Sequence, residues 1–179
     1  MSVTLQQHGD DESATVVEAV LVGLHPTAAA PAVLVATRGH PLHAALVALD
    51  PSYAVALTTL SKDDSHLLHS LQLGERRAPA VVCVGATPRA TLYAVYALAE
   101  HLGARFTLNA DILPEPDPAL SLPPAGFSQT FTPRFSVRGL QPFHDFPMGL
   151  DFWRALATNM AKMKLCATLS LCFPPSVTF

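Results

Sequence analysis

The sequence predicts an α/β fold, a small and largely buried sheet covered by helices, and three observations carry that reading. Short β-branched and leucine-rich runs alternate along the chain with segments of helical period. One stretch, Pro79 to Phe106, spells out a strand, a turn and a helix in that order. Half of the 179 residues are hydrophobic and 14% are charged, which gives a chain of this length enough apolar side chains for a core.

The organising stretch opens with Ala80-Val81-Val82-Cys83-Val84, an apolar run bounded by Pro79 and Gly85, as in a buried strand. Beyond it Leu92, Val95, Tyr96, Ala99 and Leu102 recur at helical spacing. Thr87 can cap the first turn, Pro88 brings a φ suited to the first helical position, and Gly103 can adopt the left-handed conformation that ends a helix. Upstream, residues 1–13 are polar and read as a disordered amino terminus. Thr15 to Leu24 reads as a strand or, on periodicity alone, a short helix. A loop from His25 to Pro31 leads to the strand Ala32-Val33-Leu34-Val35-Ala36 and the turn Thr37-Arg38-Gly39-His40. Pro41 opens a helix with Leu42, Ala45, Leu46 and Leu49 on one face. Asp50-Pro51 ends it, because a residue before proline is pushed out of the α region. Tyr53 to Leu60 is predicted as the next strand. Ser61, with Asp63 and Asp64, is predicted to start a helix carrying Leu67, Leu68 and Leu71, its acidic first turn suiting the positive end of the helix dipole.

After Phe106 the texture changes. Eight of the sixteen prolines lie between Pro114 and Pro147, and Pro114-Glu-Pro-Asp-Pro and Leu122-Pro-Pro suit neither helix nor central strand. The chain therefore divides into residues 1–13, an α/β domain over 14–113, a Pro-rich linker over 114–133, and a separate segment over 134–179. That last segment holds a predicted short strand from Phe135 to Gly139, an aromatic loop from Gln141 to Gly149, and a helix from Asp151 to Lys164 with Phe152, Leu156, Met160 and Met163 on one face. Leu165 to Phe179 reads as a strand-like piece broken by Pro174-Pro175, and the chain stops as though in mid-domain.

Composition narrows the function. A net charge of -3, with no basic cluster larger than Arg76-Arg77, gives no electrostatic footprint for nucleic acid. Cys83, Cys166 and Cys172 are too few and too badly spaced for a disulfide framework or a zinc site, and read as buried thiols. Asp10, Asp11 and Glu12 stand where a secretory signal would be basic and then apolar, and no apolar run reaches the ~18 residues of a membrane span, so neither export nor a bilayer is signalled. No cofactor is predicted. Only Gly85 of a Gly-x-Gly-x-x-Gly pattern is present in the strand-to-helix turn, so nucleotide binding rests on the geometry of a helix amino end alone.

Four stretches carry a family resemblance. Arg89-Ala-Thr-Leu-Tyr-Ala-Val-Tyr-Ala-Leu-Ala-Glu-His-Leu-Gly-Ala-Arg-Phe resembles the helix of the small amino-terminal α/β domain that precedes the catalytic barrel in β-hexosaminidases, α-glucuronidases and related glycoside hydrolases. Pro133-Arg-Phe-Ser-Val-Arg-Gly-Leu resembles the entry into the first barrel strand, and is the most specific of them. Gln141-Pro-Phe-His-Asp-Phe-Pro-Met-Gly-Leu-Asp-Phe-Trp resembles the loop after it, and Met160-Ala-Lys-Met-Lys the end of the first barrel helix. The likeness spans roughly residues 30 to 165. Ala90 and Ala94 stand where that family usually has glycine, a change a helix tolerates because alanine is the better helix former. The resemblance implies a hydrolase of O-glycosyl bonds acting in carbohydrate metabolism, with residues 134–179 forming a partial first βα unit of a TIM barrel. Such a barrel takes about 250 residues, so its catalytic carboxylates would fall on later strands.

Candidate residues follow from that likeness. Arg138 would stand at the carboxyl end of the first barrel strand, where its fork of donors suits two sugar hydroxyls; otherwise it is a surface arginine beside a Pro-rich loop. His144 and Asp145, in a loop with Phe143, Phe146 and Trp153, have the make-up of a carbohydrate subsite, although the aromatics suit a barrel core equally. No catalytic residue is assigned. A glycosidase needs two carboxyl groups about 5–5.5 Å or roughly 6.5–9.5 Å apart, and after Arg134 only Asp145 and Asp151 are acidic, the latter placed as a helix cap. His66 and His69, like His40 and His43, have a spacing able to ligate metal, but with no further ligand in view they read as solvated helix histidines, so no metal site is predicted. The sequence thus predicts part of a glycoside-hydrolase-like protein, inactive by itself, whose partner in full-length relatives is carbohydrate. The alternative is a stand-alone α/β binding or interaction module.

Overall fold

A computed structural model of the chain describes residues 32–73, 78–108, 110–115, 121–140 and 149–166. The described residues build an α/β unit with a mixed four-stranded sheet and four helices. Strand β1 (Ala32–Thr37) is followed by helices α1 (Leu42–Leu49) and α2 (Pro51–Thr58), strands β2 (His66–Leu73) and β3 (Ala78–Gly85), and helix α3 (Pro88–His101). Two short strands, β4 (Arg105–Phe106) and β5 (Asp111–Ile112), pair with each other. Strand β6 (Ser128–Phe131) and helix α4 (Leu150–Lys162) complete the unit.

The sheet order is β1-β3-β2-β6. β1 runs parallel to β3, while β2 runs antiparallel to both β3 and β6. One face packs Leu34, Leu67, Leu71, Val82 and Val84 against Leu42, Leu46 and Tyr53 of α1 and α2. The other face packs Leu68, Val81 and Cys83 against Ala94 and Leu98 of α3. The sheet is therefore the middle of three layers, and α4 lies against α3 with Met160 fully buried.

The strand-turn-helix stretch forms as its residues predict. Thr87 Oγ1 accepts from the Ala90 N–H at 3.2 Å, Pro88 occupies the first turn, and Gly103 has φ +98°. Gly85 is required for a steric reason. A Cβ added there would lie 1.9 Å from the Thr91 amide nitrogen, so α3 sits directly on the end of β3.

Two elements exchange type relative to the sequence expectation. Tyr53 to Leu60, predicted as a strand, lies mostly in α2, because the Asp50-Pro51 pair that stops α1 also starts a helix. Asp50 caps it by accepting from the Ser52 N–H at 2.9 Å, and Pro51 fills its first turn. Leu67, Leu68 and Leu71, predicted on a helix, lie in β2. That strand is covered on both faces and so shows a run of apolar residues in place of alternation. Ser128–Phe131 falls inside the segment read as linker yet adds a strand beside β2. From Phe135 to Gly139 the predicted strand reduces to one isolated bridge, Arg138 to Cys166. Residues 1–31, His144, Asp145 and the piece after Cys166 lie outside the described residues. Among the described residues no helix is long and apolar enough to cross a membrane.

Candidate functional site

β1 and β3 end at Thr37 and Gly85, β2 begins at His66 opposite Gly85, β6 ends at Phe131 opposite His66, and α3 starts just beyond. The polar residues of interest converge on this end of the sheet. Asp64, in the turn entering β2, is 5% exposed. Its Oδ1 accepts from Arg89 Nε at 2.9 Å and its Oδ2 from Arg138 Nη2 at 2.8 Å. Burial alone would push the Asp64 carboxyl up, but the two guanidinium groups outweigh it and hold the acid below its usual range. The carboxylate is thus an anionic bridge between the start of α3 and the segment after β6.

Arg138 is committed on all three of its guanidinium nitrogens. Besides Asp64 it donates from Nη1 to the Phe135 carbonyl at 2.7 Å and from Nε to the Lys164 carbonyl at 3.1 Å. Its backbone N–H meets Cys166 Sγ at 3.0 Å, and that thiol donates to the Ser136 carbonyl. The residue singled out for a sugar contact therefore ties the 133–140 segment to the α/β layer and to the end of α4. His144 and Asp145, the other two candidates, are not among the described residues.

His66 lies within hydrogen-bonding range of the same turn. Its Nδ1 donates to the Asp64 carbonyl at 3.2 Å, and its ring stacks on Phe131 with centroids 4.8 Å apart. Nε2 is buried and has no partner among the described residues. Burial lowers the imidazole pKa to about 4 against the opposing hydrogen bond to Asp64, so the ring is neutral near pH 7 and Nε2 is an acceptor. Lys164, just past α4, has φ +60°, and its ammonium pairs with Glu100 of α3. Asp64, His66, Phe131, Arg138, Met163 and Lys164 all face one open pocket of about 490 Å³.

The opposite face of the sheet carries a second polar network. His69 Nε2 stands 3.2 Å from Asp50 Oδ2, and its Nδ1 stands 3.1 Å from Ser128 Oγ. The Asp50 carboxylate favours the tautomer with the proton on Nε2, which leaves Nδ1 to accept from Ser128. His43 joins the Tyr53 hydroxyl at 2.7 Å to the Thr37 carbonyl at 2.9 Å, and Tyr53 leans on the His69 ring. A serine, a histidine and an aspartate in line invite comparison with a hydrolytic triad. Asp50, however, spends Oδ1 on the α2 cap, and the pocket of about 490 Å³ does not include any of the three. The network fastens β6 and α2 to the centre of the sheet.

No protein-family model matches the chain, and no curated protein matches its sequence. The site must be read from its own residues. Sequence reasoning placed His66 and His69 as solvated helix residues; both are buried, on successive opposite faces of β2. Asp64, Lys164 and Tyr93, whose hydroxyl donates to the Leu165 carbonyl at 3.1 Å, went unremarked as site residues. The one available signal was the pair Asp63-Asp64 immediately before a leucine-rich run with two histidines. Among the described residues no group of three or more His, Cys, Asp or Glu could hold a metal ion. At the strand-to-helix turn the Ala86 N–H is taken by the Ser65 carbonyl at 2.9 Å, and Arg89 is paired with the Asp64 carboxylate.

Proposed function

We propose that this chain is the non-catalytic α/β domain and barrel-entry segment of a glycoside-hydrolase-like protein, and that its work there is to hold the entry segment in place. What supports this reading is the position of Arg138 within Pro133-Arg-Phe-Ser-Val-Arg-Gly-Leu, the most specific of the resembling motifs, together with its bond to buried Asp64. A domain that precedes a barrel needs a fixed joint to the first barrel strand, and a carboxylate shared by two arginines from different elements supplies one. The carbohydrate assignment of Arg138, His144 and Asp145 belongs to this proposal. Within it a sugar would meet Arg138 beside the Gln141–Gly149 loop.

The coding transcript tests it. Sequence downstream of Lys164, read in every frame, should continue into further βα units with acidic residues at strand ends; a transcript without such units would overturn the proposal. On aryl glycosides the chain alone should show no turnover, and turnover abolished by Asp145→Asn would refute the non-catalytic part. A second reading, an interaction module, is favoured by one observation. Of the eleven exposed large hydrophobic residues among those described, six fall between Phe135 and Met163.

A further inference from the structure

We infer that the pocket at the end of β2 is a binding site for a small hydroxy acid, its hydroxyl donating to His66 Nε2 and its carboxylate facing Lys164. The inference goes beyond the domain reading and does not rest on it. A buried imidazole nitrogen without a partner is expensive, and a native chain that keeps one has a use or a filler for it. Because Nδ1 gives its proton to the Asp64 carbonyl, Nε2 is an acceptor, so the missing partner is a donor. A hydroxyl fits; a bare carboxylate does not.

Lys164 supplies the second half. It occupies a left-handed conformation, φ +60°, at the end of α4, where glycine would be adopted without strain. What lysine brings to that position is its side chain, and its ammonium pairs with Glu100 by one contact, leaving further donors. Arg89, Arg138 and Lys164 face the two carboxylates Asp64 and Glu100, so one positive charge along the pocket is left without an anion. Phe131, Pro133, Met163 and Leu165 add apolar wall. Unbranched Met163, 36% exposed, is the flexible member of that wall.

Titration of the full chain, isotope-labelled for NMR, with L-malate and citrate tests the site against succinate and tricarballylate, which lack only the hydroxyl. The hydroxy acids should bind about tenfold tighter than their counterparts, with the largest shifts at His66 and Lys164. Lys164→Gly, a change its backbone conformation favours, should weaken malate binding by about tenfold while the fold is kept. His66→Phe should erase the preference of malate over succinate. Equal binding of malate and succinate, no binding of either, or full-strength binding by Lys164→Gly would each overturn the inference. The wild-type comparison decides the matter even if His66→Phe does not fold. Methyl esters of the hydroxy acids, which keep the hydroxyl and lose the charge, should bind as weakly to the wild type as malate does to Lys164→Gly; undiminished binding would refute the role of the ammonium.

Discussion

Replacing Asp64 by Asn removes one charge and almost no volume, and its effect can be worked from the two arginines that share it. Asp64 is 5% exposed; Arg138 is 18% exposed through its side chain and Arg89 55%. Breaking a buried pair costs about 3–5 kcal/mol because a buried charge is left unmatched. Arg138 keeps its bonds to two carbonyls, and the Asn oxygen still accepts one hydrogen bond, which brings the expected loss down to about 2–3 kcal/mol. The Arg89 contact, largely solvated, adds at most about 1 kcal/mol, and Arg89→Gln should lose no more than that. Urea unfolding followed at once by far-ultraviolet circular dichroism and by the fluorescence of Trp153, the only tryptophan, measures both variants. Because Trp153 lies on α4, a fluorescence transition that moves to lower urea ahead of the dichroism would locate the damage in the segment Arg138 holds. A loss for Asp64→Asn no larger than that for Arg89→Gln would refute the idea that Asp64 and Arg138 form the joint.

Three further outcomes follow from the same geometry. Gly85→Ala should destabilise by about 3 kcal/mol or more, because the added methyl meets backbone atoms of α3 at 1.9 and 2.2 Å; Gly39→Ala, with φ +91° and open space around it, should lose only about 1–2 kcal/mol, and thermal melts compare the two. Thr87→Ala removes the cap of α3 and a hydroxyl bond to the Asp63 carbonyl, an expected loss of about 1–2 kcal/mol by urea titration. Lowering the pH should weaken the fold in a defined window. The His66 pKa is depressed from 6.5 to about 4, so the unfolded chain binds its proton first; the stability from keeping this ring neutral is complete above pH 6.5 and fades toward pH 4, on the order of 3 kcal/mol in all. His43, lowered by burial, acts in the same direction, and Asp64 extends the loss below pH 4. A His66→Phe variant whose stability falls as steeply as that of the wild type between pH 6.5 and 4 would contradict the assignment.

The parts of the fold legible in the sequence are those whose signals are local. Thr87, Pro88 and Gly103 state the ends of α3 in their own backbone preferences, and Val81 to Val84 lie between breakers. β2 was hidden because a strand buried on both faces has no alternation to read, and its leucines at 67, 68 and 71 fit a helical face equally well. α2 was hidden for a related reason: Asp50-Pro51 is both a stop and a start, and the Asp50 cap on the Ser52 N–H, together with the packing of Tyr53 on the His69 and His43 rings, goes with the helix. The site was less legible still. Asp64 reads as a first-turn acid until Arg138, seventy-four positions away, is brought to it, and nothing local marks His66 Nε2 as unpartnered.

The two roles available to Arg138 compete, and Asp64 decides between them. A sugar hydroxyl could replace the Phe135 carbonyl at Nη1, one charge-assisted bond for another, with little net change, whereas the Nε bond to the Lys164 carbonyl belongs to the joint. The hydroxyl could not replace Asp64 on those terms. Releasing Nη2 would leave a buried carboxylate with Arg89 as its one remaining guanidinium, and a neutral hydroxyl returns less than the pair it breaks. A sugar contact by Arg138 is therefore compatible with the joint only at Nη1, beside the exposed Phe135. Nη2 belongs to both forked edges of the guanidinium, so the carboxylate leaves a ligand the single donor Nη1 in place of a fork. The arginine can then hold the segment and meet a sugar at once, provided the two use different nitrogens.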